Sequence, residues 1–145
     1  MCDRTKDLRI AGWYLEARTQ VDGLPGLADG LGVLASLCER LWPDLHPRGD
    51  DDEERLGCLR WAVGLSVRWI PTAPKGERYE TLAAVQASLA AVDRLGAAIE
   101  KHVPGEGPSL TAVREALRDV LAALQLPSSR HPDPLSSAVP DVLRV

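Results

Sequence analysis

From Leu82 to Val103 the apolar and small residues recur in unbroken alternating steps of three and four: Leu82, Val85, Leu89, Val92, Gly96, Ile99 and Val103. That is the period of an α-helix, and a strand cannot satisfy it. A row of this length calls for one long helix with its apolar side against a partner. The same spacing appears four more times. It runs through Leu27, Leu31, Leu34, Cys38 and Leu41, then through Leu56, Leu59, Val63, Val67 and Ile70, and again through Leu110, Val113, Leu117, Val120 and Leu124. Near the N-terminus it is doubled, with Leu8, Ala11 and Leu15 in one row and Ile10, Tyr14, Ala17 and Val21 in another. A doubled row predicts a helix with two neighbours. The apolar share is mainly Leu, Ala and Val, with no Phe, which favours helix over sheet.

Proline and glycine set the boundaries. The expected helices cover about 5–21, 27–42, 51–69, 78–102 and 110–126, the last capped by Ser109. The stretch 127–145 holds four prolines and four serines in nineteen residues and reads as a linker or flexible tail. The expectation is an all-α fold: an antiparallel bundle of about five helices in residues 1–126, followed by that tail. The apolar rows of the last two helices are expected to pack within the chain rather than form a dimer seam. Leu31, Leu34, Cys38, Leu59, Val63, Leu89, Val92, Leu117 and Val120 are the expected core.

With 17 basic and 21 acidic side chains the formal net charge is −4, which argues against a nucleic-acid partner. No apolar run in the sequence approaches the roughly 20 residues that cross a bilayer, so membrane insertion is not expected. The N-terminal MCDRTKDLR lacks the apolar core of a signal peptide. Cys2, Cys38 and Cys58 have no metal-like spacing, and a reducing cytoplasm is expected for them.

The stretch RLWPDLHPRGDDDEER, residues 40–55, is where chemistry would be sought. An EF-hand loop needs acids at alternate positions around a central glycine, whereas Asp50 to Glu54 are contiguous and Gly49 precedes them. Acids in the first turn of a helix suit its dipole, so the run reads as a helix start. His46 has no second histidine at zinc-ligand spacing and reads as structural or exposed. There is no GxSxG, no phosphate-binding glycine loop and no cysteine with a nucleophile's flanks. Ser36, Ser66 and Ser88 fall inside helices, where a hydroxyl commonly bonds back to the preceding turn. Trp13, Trp42, Trp61 and Trp69 are read as core anchors rather than a ligand pocket. No catalytic, cofactor-binding or metal-ligating residue is assigned, and an enzyme is not expected.

TKDLRIAGWYLEA, GLPGLADGLGVLASLCERLWPDLHP and RLGCLRW follow one another at short spacing over residues 5–61. In combination they resemble the ImpA N-terminal domain family, found in the TssA proteins of bacterial type VI secretion systems. PSLTAVREAL resembles that family's last helix. The resemblance implies a cytoplasmic, non-enzymatic assembly protein without cofactors, a fragment or reduced relative of a longer protein. Its implied partners are the baseplate, contractile sheath and inner tube.

Helix lengths and the short first turn predict that the end of the second helix lies beside the starts of the first and third. Lys6, Asp7, Arg9, Trp42, His46, Asp51 and Arg55 would then converge on one pole, with Lys6 or Arg9 within reach of the acids at 50–54. That pole is a structural corner and the candidate partner-contact surface. Weak self-association, or a partner segment, is expected along Ile10, Tyr14 and Ala17. The alternative reading is a small acidic helical inhibitor, or immunity-type protein, that binds a single toxin.

Overall fold

The computed structural model describes residues 7–47, 52–73 and 77–125. Among these the chain forms α1 (Leu8–Asp22), α2 (Leu24–Leu41), a 3-10 turn (Trp42–Asp44), α3 (Glu53–Trp69), α4 (Arg78–His102) and α5 (Thr111–Gln125). The fold is all-α, as the apolar periods require. The boundary expected at 126 and the tail after it lie outside the described residues.

The first turn is tighter than its proline suggested. Gly23 alone separates α1 from α2, while Pro25 sits inside the first turn of α2, where its missing N–H breaks no hydrogen bond. Gly23 adopts φ 67°, which favours glycine, and its N–H donates to the Thr19 carbonyl at 2.9 Å. Two more glycines let the helices close on each other. A Cβ at Gly26 would lie 1.9 Å from the Arg18 carbonyl oxygen, and one at Gly30 would lie 2.7 Å from Leu15 Cα. The glycines of GLADGLG therefore include packing positions between α1 and α2.

α2 is the centre of the bundle and packs most extensively on α4 and α1. It buries Leu24, Leu27, Leu31, Leu34, Ala35, Leu37 and Cys38. α4 in turn buries Thr81, Ala84, Val85, Ser88, Ala91, Val92, Leu95, Ala98 and Ile99. This is a correction to the row read from sequence. Leu82, Leu89 and Gly96 are only half-buried, while the small side chains at 84, 88, 91 and 98 are buried. The displaced row lies on the α5 side, where a Cβ on Gly96 would meet Leu110 Cδ1 at 3.1 Å. α3 shifts in the same way: Leu56, Leu59, Ala62 and Leu65 are buried, while Val63 and Val67 pack at the core's edge. Leu31, Leu34, Cys38, Leu59, Val92, Leu117 and Val120 are buried as expected.

α1 packs on α2 and α3 through Leu8, Ala11, Gly12 and Leu15. Its second row is not in the core. Ile10, Ala17 and Val21 are exposed, and Tyr14 is half-buried. α5 packs on α4 and α3 within the chain. By length and composition α4 could cross a membrane. Here its apolar side lies against α2 and α5, and its Arg94 pairs with Glu39 of α2 at 2.7 Å.

Candidate functional site

The pole forms where the starts of α1 and α3 meet the end of α2. Asp7 caps α1, its carboxylate accepting from the Arg9 N–H at 2.8 Å. One residue on, the Leu8 N–H donates to the His46 carbonyl at 2.8 Å, which ties the start of α1 to the loop after α2. Trp42 lies beneath this loop and is 5% exposed. Its indole N–H donates to the Asp52 carboxylate at 3.2 Å, so burial leaves no orphaned donor. The Arg55 guanidinium carbon lies over the Trp42 ring, 5.7 Å from the centroid. Arg55 donates to Asp52 at 3.0 Å and to the Leu45 and Pro47 carbonyls at 3.2 and 3.3 Å. A buried cation with one carboxylate and two carbonyls holds the loop in a single arrangement.

The structure thus brings together Asp7, Trp42, His46 and Arg55. Lys6, Asp50 and Asp51 lie outside the described residues. Arg9 takes Asp7 as its partner at 2.8 Å. The cap already fixes that carboxylate two residues away, so the local pair forms at little further entropic cost. Among the described acids of the run, Asp52 is held by Arg55 and Trp42. The Arg9 guanidinium keeps the Asp7 carboxyl below its ordinary value, and Asp7 raises Arg9 in turn.

The sequence reading did not anticipate His102. The last residue of α4, it stacks on Trp42 with centroids 5.1 Å apart and planes 3° from parallel. Its Nε2 is buried without a hydrogen-bond partner among the described residues. A histidine at the C-terminus of the longest row was the available signal, since that row's end had to fall at the same pole.

Beside the pole a groove of about 360 Å³ runs between α1 and α3, lined by Arg9, Trp13, Pro47, Glu54, Gly57, Cys58 and Trp61. Two of the four tryptophans expected in the core are therefore on the surface, with Trp13 61% and Trp61 41% exposed. Both lie off the apolar rows of their helices, which was the sign to follow. Gly12 makes the arrangement possible, because a Cβ there would come within 2.7 Å of the Trp61 ring. Burial pushes the Cys58 thiol up, away from the thiolate that nucleophilic chemistry requires.

Tyr14 turns away from this groove. Its hydroxyl donates to Asp29 of α2 at 2.5 Å, and Arg18 donates to the same carboxylate at 3.2 Å. No group of three or more His, Cys, Asp or Glu side chains among the described residues could hold a metal ion. What the pole and groove offer is a shaped surface of aromatic rings and paired charges.

Residues 1–64 match the family described as ImpA, N-terminal, of the type VI secretion system. A stretch of 51 residues is 41% identical to the type VI secretion system component TssA1 of Pseudomonas aeruginosa. That match covers 35% of this chain and 15% of the relative, so the likeness concerns a small part of a longer protein. The fold resembles the N-terminal domain, including the conserved ImpA_N region, of the TssA component from Burkholderia cenocepacia. The TM-score is 0.72 at 24% identity, over 83% of this chain and 70% of that one.

Proposed function

We propose, from the match of residues 1–64 to the ImpA N-terminal family of the type VI secretion system, that the chain is a non-enzymatic assembly domain docking proteins of the secretion apparatus at its pole. The partners in this reading are baseplate, sheath or inner-tube components, met in the cytoplasm and without a cofactor.

The observation that supports the pole as the docking surface is the extent of the family match. It covers α1, α2, the 3-10 turn and most of α3, and it stops before α4 and α5. The core depends on α4 throughout its length, so packing alone would favour a match reaching that far. The matched residues instead include Asp7, Arg9, Trp42, His46 and Arg55. Among these, the side chains of Arg9 and His46 face solvent and are available to a partner.

The test is capture of purified baseplate, sheath and inner-tube proteins by the immobilised chain. Wild-type protein should retain at least one of them. A combined Arg9→Glu and His46→Glu variant, with an unchanged helical spectrum, should retain less, and the loss should be greatest at low salt. Absence of capture by the wild type, or equal capture by the folded variant, would overturn the reading.

A further inference from the structure

The groove between α1 and α3 has a symmetry of its own. Both helices start at the pole, so they run parallel along its two walls. Each wall carries one charge near the pole and one exposed tryptophan further along: Arg9 and Trp13 on α1, Glu54 and Trp61 on α3. The side chains of a helix lean toward its N-terminus, which brings Trp61 back to the level of Gly12, where its ring meets α1. Arg9 and Glu54 are close enough across the groove for Glu54 to contribute to the raised Arg9 pKa.

We propose that this groove is an isologous interface between two copies of the chain, with the two-fold axis running along it. A rotation about that axis lays α1 of each copy over α3 of the other, in the same direction and at the same level. Trp13 of each copy then meets Trp61 of the second copy, and Arg9 of each meets Glu54 of the second. The two walls are complementary in charge and alike in aromatic character, which is what a self-complementary surface requires. The seat for the incoming indole is also present. A Cβ on Gly57 would find no atom within 4 Å, so the α3 wall is open where Trp13 of the second copy would lie. A single groove of this kind gives a weak, concentration-dependent association.

Sedimentation equilibrium over a wide concentration range tests this. The wild-type mass should rise with concentration. Trp13→Ala should weaken self-association by roughly tenfold or more, as expected for an aromatic anchor. Gly57→Leu, whose Cβ would meet no atom within 4 Å in the single copy, should block the seat and give a similar loss with an unchanged helical spectrum. Arg9→Glu and Glu54→Arg should each weaken association, because each sets like charges against one another. The double variant Arg9→Glu/Glu54→Arg should restore it, which no surface for a different partner would do. A wild type that stays monomeric at the highest concentration would overturn the proposal. So would a Gly57→Leu variant that associates normally, or a double variant no better than the single ones.

Discussion

Trp42 and Trp13 stand on neighbouring parts of the molecule, one 5% exposed at the pole and the other 61% exposed on the groove wall. Trp42 lies where helix ends converge, and those ends supply polar groups to complete its burial. Asp52 takes its N–H, Arg55 lies over its ring and His102 stacks on it. Trp13 lies mid-helix, where the neighbouring backbone is already paired and α3 approaches only on one side. An indole is enclosed where chain ends can meet its polar edge. On a helix flank it stays at the surface unless a partner covers it.

The largest expected effect separates the two rings. Trp42→Ala should cost about 3–5 kcal/mol by urea unfolding, through the cavity and the loss of the loop's anchor. An effect below about 1 kcal/mol would place Trp42 with the surface residues instead. A second contrast uses glycines. Gly30→Ala drives a methyl against Leu15 Cα, which is backbone and cannot yield, so a loss of about 1–3 kcal/mol is expected. Gly12→Ala meets the far edge of the half-exposed Trp61 ring, which can swing outward. Its cost should be smaller, with a visible change in tryptophan fluorescence. Equal losses would show that the groove wall is as rigid as the α1–α2 contact.

Asp7 makes the pole sensitive to pH. Asp7→Ala removes a helix cap worth about 0.5–2 kcal/mol. The carboxyl is held below its ordinary 3.8, chiefly by Arg9, so its folded pKa lies under its unfolded one. Such a group stabilises fully above the unfolded value and loses that effect as pH falls through the folded value. The gap between wild type and Asp7→Ala should therefore be full at neutral pH and shrink below pH 3.8. A gap that persists in stronger acid would show that the charge is not what matters. The smallest effect belongs to Trp13→Ala, expected within about 0.5 kcal/mol in dilute solution. A larger loss would mean that α3 already holds the ring within one copy.

Much of this fold was legible in the sequence. The α4 bounds follow from its unbroken row and the flanking breakers, and the other helices fall within a few residues of their expected ends. The pole was legible too, because helix lengths and a short turn are a matter of arithmetic. Less legible was the side each helix turns inward. Large apolar residues mark a face only to within one position, and α4 buries Ala, Ser and Thr beside its larger side chains. The partner of Arg9 was missed because a cap two residues away competes with acids forty positions on.

The helical class, the order of the elements and the end of the bundle where the polar residues gather are written in the chain locally. These follow from local period, chain stiffness and rise per residue, which each segment carries alone. The stacking of His102 on Trp42, the close approach at Gly26 and Gly30, and the outward-facing Trp13 and Trp61 across one groove arise from the assembled bundle. Each of those depends on the rotation of one helix against another. That rotation is settled by the packing of all five helices at once.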